Sequence, residues 1–367
     1  MTADRISSRR TLQPEIHYDV AVLKDEWDAL AARNGATPFV YPGWVGAWYR
    51  AFGRGRPIVA AVRCDGVLAA VAALEQRWGT LRSATNWHTP EYDVVADSPE
   101  AARALADAVI ALRPRRIELR FLDGGGLGLS AFRSAAKVAG YRLLTRRLEE
   151  SPYVPITGEW DVHAAKLRTK MLRQVARGWR QLEEEGGAVA VTLETGGAGL
   201  DEALETGLRI EGSGWKGKAG TAIVSRPETR AFYKDIARWA AEQGLLRLAF
   251  LSVDGRPIAF QFDLELDGVV YHLKPGYDET YKRFRPGKLL TLHILRSAFE
   301  RGARSYEFLG DAEPHKLEWT SDVRERLLLH AFAPTLTGLA QLALFRFGRP
   351  TALGALRAME RVRGWRR

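Results

Sequence analysis

Two Asp-Gly dipeptides constrain the fold of this chain more than any other feature of its sequence. Asp254-Gly255 and Asp267-Gly268 separate three apolar runs at 245–253, 257–266 and 269–274. Asp-Gly between such runs is a strong signal of a two-residue β-hairpin turn, because both turn residues need a positive φ. The sequence therefore predicts three consecutive antiparallel strands in the second half of the chain.

Helices are predicted on both sides of these strands. Ser225-Arg226-Pro227-Glu228 is a capping box with proline in the first turn, and the helix that it opens ends at Gly244. A strand at 188–193 and a helix that ends near Glu211 come earlier. A helix at 288–301 and a strand at 305–309 come later. The predicted order is strand, two helices, three antiparallel strands, helix and strand.

The first half of the chain repeats this order. Asp65-Gly66 joins strands predicted at 58–63 and 67–76, and Ser98-Pro99-Glu100 opens a helix before a strand at 116–121. A chain of 367 residues has room for two domains. We expect an α/β (α+β) fold of tandem domains, each with a mixed, mostly antiparallel sheet flanked by helices. The expected segments are a disordered 1–14, an N-terminal domain at 15–160, a linker helix at 161–187, a C-terminal domain at 188–333 and a basic amphipathic tail at 334–367.

The positive charge of the chain is concentrated at its end. Residues 336–367 hold seven arginines and one glutamate, which together give +6 of the formal net charge of +10. The rest of the chain is close to balanced, which argues against a general nucleic-acid binder. The chain has one cysteine, and no run approaches the ~18 apolar residues of a membrane span. We expect a cytoplasmic protein whose tail either packs on the body or lies on an anionic membrane.

A cluster of cations marks the start of the helix predicted at 288–301. Lys282, Arg283 and Arg285 lead into Pro286-Gly287-Lys288. Glycine lets a ligand approach the backbone, and the unpaired N–H groups of a helix N-terminus bind anions. The pattern favours a site for a donor phosphate at Arg283, Arg285, Gly287 and Lys288. The alternative is a proline-started helix with solvated basic residues.

Glu211 is the first candidate for acid–base chemistry. It falls in helical phase with Leu204 and Leu208, so its carboxylate should point inward. An inward carboxylate is suited to bind or deprotonate an amine nucleophile. The alternative is a structural ion pair with Lys216 or Lys218.

Further candidates lie at the ends of strands. His272 and Lys274 are two residues apart near a strand end and should face the same side of the sheet. Asp311 and Lys316 follow the last strand of the second half. We take Glu211, Lys274 and Asp311 as the catalytic candidates. No spacing typical of zinc or calcium ligands occurs, so no metal is expected.

The linker helix has an apolar stripe and a basic stripe. The apolar stripe predicts a buried face. The basic stripe is either a solvated face or a ridge that docks an acidic carrier or phosphates. The basic stripe consists of Lys166, Lys170, Arg173, Arg177 and Arg180.

A series of short motifs between residues 160 and 320 resembles one group of acyltransferases. Their order and spacing resemble the CelD/BcsL-type acetyltransferases, a branch of the GNAT superfamily linked to bacterial exopolysaccharide synthesis and related in architecture to the FemAB transferases. The motifs are Glu211-Gly212-Ser213-Gly214-Trp215-Lys216, Tyr271-His272-Leu273-Lys274, Tyr277-Asp278-x-x-Tyr281, Arg285-Pro286-Gly287-Lys288-Leu289-Leu290, Phe308-Leu309-Gly310-Asp311 and Lys316-x-x-Trp319.

The resemblance implies transfer of an acyl group from acyl-CoA or an acyl carrier protein to an amine or hydroxyl of a small molecule or glycan. It also implies a set of substrate-binding residues within the motifs. The set is Trp215, Lys216, His272, Tyr277, Lys316 and Trp319. The usual GNAT phosphate loop has two spaced glycines, whereas this chain has only Gly287 there. An aminoacyl-tRNA donor, as in FemAB relatives, and a non-catalytic binding protein therefore stay open as alternatives.

Overall fold

The computed structural model describes residues 11–213 and 223–348, without the side chains of the last two residues. Thirteen strands lie in these ranges. They are β1 (Leu12–His17), β2 (Arg56–Cys64), β3 (Val67–Arg77), β4 (Thr80–Ser83), β5 (Val95–Ala96), β6 (Arg116–Asp123), β7 (Arg142–Pro155), β8 (Val189–Glu194), β9 (Leu246–Val253), β10 (Arg256–Leu266), β11 (Val269–Tyr277), β12 (Ser305–Glu307) and β13 (Val323–Phe332).

Ten α-helices are described in the same ranges. They are α1 (Lys24–Arg33), α2 (Pro42–Phe52), α3 (Pro99–Ala111), α4 (Leu127–Val138), α5 (Trp160–Ala164), α6 (Thr169–Gly186), α7 (Leu200–Ser213), α8 (Pro227–Glu242), α9 (Pro286–Glu300) and α10 (Leu336–Ala343).

All thirteen strands form one sheet. Its order is β1-β2-β3-β4-β6-β13-β7-β12-β11-β10-β9-β8, and β5 pairs with β3. Neighbouring strands are antiparallel except for the pairs β4–β6 and β11–β12, which are parallel. The mixed, mostly antiparallel sheet flanked by helices is therefore confirmed.

The same series of elements occurs twice. In the first half, β2, β3 and β4 are antiparallel neighbours, α3 follows, and β6 pairs in parallel with β4. In the second half, β9, β10 and β11 are antiparallel neighbours, α9 follows, and β12 pairs in parallel with β11. Each parallel ladder is three residue pairs long. The tandem repeat predicted from the order of elements is present in the fold.

The Asp-Gly turns have the conformation that the sequence predicts. Asp254 and Gly255 have φ values of 46° and 77°, and Asp267 and Gly268 have values of 49° and 73°. Positive φ at both central residues is the requirement of the type I′ hairpin, whose twist matches that of the flanking strands. These turns fix the register of β9, β10 and β11.

Two boundaries differ from the prediction. β1 begins at Leu12, inside the segment 1–14 predicted to be disordered, because the backbone of 12–17 pairs along β2. The linker helix α6 begins at Thr169, and the short α5 precedes it as a separate turn. Residues 1–10 lie outside the described residues.

The end of the chain supplies a strand to the middle of the sheet. β13 lies between β6 and β7, with Arg326 opposite both Asp123 and Glu149. The expected segment 188–333 thus ends in a strand whose neighbours come from the first half. The sequence analysis did not predict this strand. It makes the sheet continuous from one half to the other.

Aromatic side chains from both halves share one core. Trp44 of α2 packs edge to face on Phe232 of α8, and Phe39 packs on Tyr271 of β11. A Cβ on Gly43 would lie 2.1 Å from the Trp239 ring, so glycine is required where α2 meets α8. The two halves are therefore packed face to face, and a site formed by both is physically possible.

Candidate active site

The parallel strands β11 and β12 separate after three residue pairs. The ladder ends at Tyr271 opposite Glu307, where β12 stops, while β11 continues to Tyr277. A bulge opposite Phe262 and Asp263 makes Leu273 an extra residue in β11 at this point. Bulges of this kind bend a strand and redirect its side chains. His272 is opposite Asp263 and Lys274 is opposite Phe262, so the two side chains leave β11 on opposite faces of the sheet. The prediction that they face the same side was therefore wrong, because the extra residue changes the alternation. A cavity of about 600 Å³ opens where the two strands diverge.

Most of the predicted site residues within the described ranges line this one cavity. They come from α7, β11, the start of α9 and the segment after β12. They are Glu211, His272, Lys274, Tyr277, Gly287, Lys288, Lys316 and Trp319.

The other predicted residues lie elsewhere. Arg283 is exposed and forms an ion pair with Glu185, and Arg285 is exposed at the N-cap of α9 with φ 60°. The Oδ1 atom of Asp311 accepts the Ala312 N–H at 3.0 Å, and Asp311 does not line the cavity. Trp215 and Lys216 fall outside the described residues.

The start of α9 offers few backbone donors to an anion. Pro286 has no N–H, and the Lys288 N–H already donates to the Arg285 carbonyl at 2.9 Å. Among the described residues, the Gly287 N–H is the first-turn amide that remains for a ligand. The Lys288 ammonium is paired with Glu318. Phosphate binding here would therefore depend on the exposed arginines more than on the helix terminus.

The matching helix of the first half has its N-terminus occupied. The Ser98 hydroxyl accepts the Ala101 N–H at 3.2 Å, and the acidic Glu100 lies in the first turn of α3. A capped terminus with a carboxylate repels an anion. Of these two helix starts, α9 is therefore the one that favours a phosphate.

Glu211 is buried, as its helical phase predicts. Its Oε2 atom accepts the Ile223 N–H at 2.9 Å, which ties the end of α7 to the start of the next described segment. A Cβ on Gly276 would lie 2.5 Å from the Glu211 Cα, so only glycine lets β11 approach the helix this closely. The carboxylate is thereby held against the cavity. The ion pair with Lys216 or Lys218 involves residues outside the described ranges.

His272 is held by a buried carboxylate. Its Nδ1 atom lies 2.7 Å from the Asp263 Oδ1, and its ring stacks on Tyr306 with centroids 5.7 Å apart. Burial raises the pKa of Asp263, and the neighbouring His272 opposes that rise. The pair fixes the imidazole in one orientation at the cavity wall.

Lys316 holds the segment that follows β12. Its ammonium donates to the Leu309 carbonyl at 2.7 Å and to the Asp311 carbonyl at 3.1 Å, and it pairs with Glu313. Leu309 and Gly310 both have positive φ, at 56° and 62°. Lys316 therefore stabilises a tightly turned backbone at the cavity, which is a positioning role.

Glu149 is a candidate that the sequence analysis missed. It lies on β7, lines the cavity and is 5% exposed. Burial raises the pKa of its carboxyl to about 7, and the nearby Asp311 adds to the rise, while Lys316 and Arg326 oppose it. Its Oε1 atom has no hydrogen-bond partner among the described residues. A buried carboxylate with a pKa near neutrality is suited to general-base catalysis.

The first half of the chain supplies one wall of the cavity. Trp87 is 67% exposed and contacts Phe121 edge to face, with centroids 5.6 Å apart. The His88 Nδ1 lies 3.3 Å from the Tyr233 hydroxyl. Burial, together with the cationic Lys274, lowers the pKa of His88 to about 3, so its ring is neutral. The site is thus built from both halves.

Two further properties concern the described residues alone. In 11–213 and 223–348, no three His, Cys, Asp or Glu side chains are grouped to hold a metal ion. Within the same ranges, no helix combines the length and apolarity needed to cross a membrane.

Comparison with known proteins assigns the fold around this cavity. Residues 169–317 match the family model described as the acetyltransferase (GNAT) domain. The chain contains a GNAT acetyltransferase-like fold. The match covers α6 to the segment after β12, which includes the divergence of β11 and β12. No curated protein matches the chain.

Solved structures resemble the whole chain at low sequence identity. FemX has a TM-score of 0.63 and 14% identity, with 90% of this chain and 99% of FemX covered. A conserved protein of unknown function from Bacteroides thetaiotaomicron has a TM-score of 0.58 and 9% identity, with 87% and 100% covered. The C-terminal domain of a putative lysylphosphatidylglycerol synthetase from Agrobacterium fabrum has a TM-score of 0.57 and 14% identity, with 89% and 97% covered. The chain thus shares the fold of these structures over both halves.

Proposed function

We propose that the protein transfers an acyl group from a thioester donor to an amine or hydroxyl acceptor. The cavity at the divergence of β11 and β12 carries this proposal, because a carboxylate with a pKa near 7 lies in the same cavity as the part of β11 that pairs with β10 but no longer with β12. Carboxylates from both halves and lysines from the second half line it. The match to a GNAT domain over the same elements supports the proposal.

In the proposed reaction the donor carbonyl lies beside residues 272–277 of β11. The acceptor nitrogen or oxygen attacks the carbonyl carbon, the new C–N or C–O bond forms, and the C–S bond of the thioester breaks. The proton lost by the acceptor passes to Glu149, and the leaving thiolate takes up a proton from solvent. Backbone N–H groups of β11 and the Lys274 ammonium stabilise the negative charge on the carbonyl oxygen.

The proposed roles of the three catalytic candidates follow from their contacts. Glu211 positions the segment at Ile223 and binds the acceptor amine. Asp311 acts through Glu149, because its negative charge helps raise the pKa of that carboxyl. Lys274 lies beside the Tyr233 ring, with its ammonium 5.8 Å from the ring centroid, and adds positive charge at the cavity. Direct transfer needs no covalent enzyme intermediate.

Arg285 provides the first test of the donor site. Arg285→Glu is expected to weaken acetyl-CoA binding at least tenfold in calorimetry, because a charge-assisted contact to a phosphate contributes ~1.5–3 kcal/mol. The variant Arg285→Gly removes the charge and keeps the fold, because the backbone of Arg285 has a φ of 60°, which glycine adopts without strain. Arg296→Glu, an exposed site further along α9, is the control and should leave binding unchanged. If all variants bind acetyl-CoA with equal affinity, the donor does not bind at this turn.

A basic surface continues from the donor turn along α6. Gly178 of α6 lies against the Phe284 backbone, where a Cβ would approach the carbonyl oxygen to 2.4 Å. This contact sets the exposed cations of α6 beside Lys282 and Arg285. The surface consists of Lys166, Arg168, Lys170, Arg173, Arg177, Arg180, Lys282 and Arg285, and among the described residues none of these side chains forms an ion pair. An acidic carrier that presents the thioester fits this charge distribution.

Charge reversal on α6 separates a carrier-bound donor from free acyl-CoA. The double variant Arg173→Glu/Arg177→Glu is expected to lower kcat/KM at least tenfold with an acyl carrier protein and less than twofold with acyl-CoA. The wild-type rate with the carrier should fall as salt rises. The matched control is Arg133→Glu/Lys137→Glu, an exposed pair with the same spacing on α4. Equal losses with both donors would contradict carrier docking.

An aminoacyl-tRNA donor is the second candidate. The same basic surface favours it, since phosphates also bind to rows of arginine and lysine. If the protein is active in the charge-reversal assay with aminoacyl-tRNA but with neither thioester donor, the aminoacyl-tRNA donor is the correct one. A binding protein without catalysis would release neither a thiol from the thioester donors nor deacylated tRNA from aminoacyl-tRNA.

The acceptor class is proposed from the wall of the cavity. Trp87 offers an exposed indole face next to the catalytic cavity, and such faces stack on planar or ring-shaped ligands. A glycan acceptor, and with it an exopolysaccharide role of the CelD/BcsL type, is consistent with this platform.

We also propose that the tail contacts a membrane surface. α10 exposes Leu336, which is 88% exposed, while Phe345 packs on His330 and Phe332 of β13. The start of the tail therefore combines a packed side chain with exposed apolar ones. All of its arginines except Arg346 lie outside the described residues. A cytoplasmic location at the inner membrane surface fits this arrangement.

A further inference from the structure

A second cavity of about 670 Å³ lies next to the first. Tyr271 and Glu307, the last pair of the parallel ladder of β11 and β12, line the second cavity, whereas the residues that follow them, His272 and Phe308, line the first. The two cavities share no lining residue. The floor of the second cavity crosses five adjacent strands, from β11 through β12, β7 and β13 to β6. Neither the family match nor the proposed acyl transfer assigns a role to it.

One end of this cavity is acidic. Glu91, Asp93 and Asp123 line it, and Arg326 is the cation there. Arg326 pairs with Glu91 and, at 2.8 Å, with Asp123. Arg324 also acts on Glu91, but less strongly than Arg326 does. Three carboxylates against these two guanidinium groups leave an excess of negative charge at this end.

Of the carboxylates at this end, Glu91 is buried, Asp93 is half-buried and the Asp123 side chain is 45% exposed. Burial raises the pKa of Glu91 to about 7, and Arg326 opposes that rise. Burial also raises the pKa of Asp93 to about 6, and the Val94 and Gly128 N–H groups that donate to Asp93 oppose that rise.

The Arg326 Nε and the Tyr92 hydroxyl are buried and have no hydrogen-bond partner among the described residues. Buried polar groups in proteins are normally satisfied, so these atoms indicate missing partners. The Tyr92 oxygen can accept a hydrogen bond from an ammonium, whereas the Arg326 Nε–H is a donor and can bind a peptide carbonyl oxygen. An ammonium group would compensate the carboxylates.

The other end of the cavity is basic. Arg324 stacks on the Tyr153 ring, with its guanidinium 3.8 Å from the centroid, and pairs with Glu307. Arg304 is exposed and forms no side-chain ion pair among the described residues. Two guanidinium groups against one carboxylate leave a net positive charge that suits a carboxylate or phosphate.

The spacing of the two ends sets the length of a ligand. Asp123 lies on β6 and Arg304 at the start of β12, three strand spacings apart, which is roughly 14 Å. A single amino acid is too short to reach both ends. An extended tripeptide separates its terminal groups by ~10 Å, and the side chains of the cavity cover the remainder.

We infer that the second cavity binds a short peptide with a free amino terminus and a free carboxyl terminus. The ammonium lies among Glu91, Asp93 and Asp123, and the carboxylate lies between Arg304 and Arg324. Val40, Val94 and Leu127 also line this cavity, so small apolar side chains fit best.

Calorimetry at pH 7 with trialanine tests this inference. Trialanine is expected to bind one site per chain, and N-acetyl-trialanine and trialanine amide should each bind at least tenfold more weakly. Alanine should bind more weakly than trialanine because it reaches only one end. Absence of trialanine binding, or equal binding of the blocked peptides, would overturn the inference.

Two variants connect the binding to this cavity. Arg304→Glu alters an exposed side chain with no ion-pair partner in the described part of the chain, so the fold should persist while trialanine binding falls at least tenfold. Arg133→Glu is the control and should bind as the wild type does. Equal loss in both variants would overturn the assignment. Acetyl-CoA binding in the same samples reports on the first cavity, so failure of the peptide site and failure of the donor site are distinguishable.

Discussion

Glu149→Gln is expected to lower kcat by about 10²–10⁴, the range that a general base contributes. The wild-type rate should rise with pH up to about 7 and then level off, since Glu149 must be deprotonated to accept a proton and its pKa lies at about 7. The variant should lose this rising limb. Donor binding should change less than twofold, because the carboxylate faces the acceptor and not the donor turn. Rates measured across pH 5–9 (roughly two units either side of the pKa) check the prediction.

Stability separates a catalytic role of Glu149 from a structural one. The pKa of Glu149 lies above its ordinary value of 4.5, so the folded protein binds an extra proton between that value and about 7. The free energy of unfolding therefore falls as pH rises through this window, and Glu149 destabilises the fold above it. Glu149→Gln should be at least as stable as the wild type at pH 8.

The neighbouring residue provides the control for this experiment. Glu150 is half-buried and pairs with Arg147. Glu150→Gln should keep both the rate and its pH dependence. A Glu149→Gln variant with wild-type kcat, or one that loses activity only by unfolding at pH 8, would show that another group removes the proton.

The hairpins and the start of α9 are predictable from the sequence because local chemistry determines them. Asp254-Gly255 and Asp267-Gly268 need left-handed backbone, and few other dipeptides supply it. Pro286 at the first helical position marks the helix start in the same way. The sequence thus identifies His272, Lys274 and Gly287 as candidates near these elements. The bulge at Leu273, by which His272 and Lys274 leave β11 on opposite faces and still line one cavity, has no such local signal.

Glu149 could not be found in this way, because its burial depends on residues distant in sequence. It lies in the run Arg146-Arg147-Leu148-Glu149-Glu150, which is typical of a solvated surface. The side chain becomes buried only when β13 pairs with β7 and Lys316 holds the segment after β12 over it. Trp87 and His88 were missed for a related reason. They lie in an irregular segment after β4 that has no periodic pattern.

The strand β13 and its place in the sheet could not be predicted from the local sequence either. Its residues predict a strand only weakly, since charges at Arg324, Glu325 and Arg326 interrupt the apolar pattern. The charge of Arg326 is compensated only in the folded sheet, where it forms ion pairs with Asp123 and Glu91. Non-local pairing of this kind carries no signal in a local window of sequence.

Arg326→Met is expected to destabilise the protein by about 3–5 kcal/mol, the cost of leaving one side of a buried ion pair uncompensated. The Arg326 side chain is 5% exposed. Its removal leaves the buried Glu91 without its ion-pair partner and weakens the contact of β13 with β6. Urea unfolding monitored by tryptophan fluorescence measures the loss. Arg147→Met is the control, because its ion pairs with Glu150 and Glu325 are exposed and should contribute less than about 1 kcal/mol.

The pH dependence of this loss identifies its cause. Glu91 has a pKa of about 7 with Arg326 present, and removing the guanidinium raises that pKa further. At pH 6 the stranded carboxyl takes up a proton and the cost shrinks, whereas at pH 8 more of the desolvation penalty remains. The destabilisation by Arg326→Met should therefore be larger at pH 8 than at pH 6. It should largely disappear in Arg326→Met/Glu91→Gln, because the second change removes the charge that the first one strands. A loss of stability that is equal at both pH values and persists in the double variant would mean that Arg326 acts by filling space between β13 and β6 and not by neutralising Glu91.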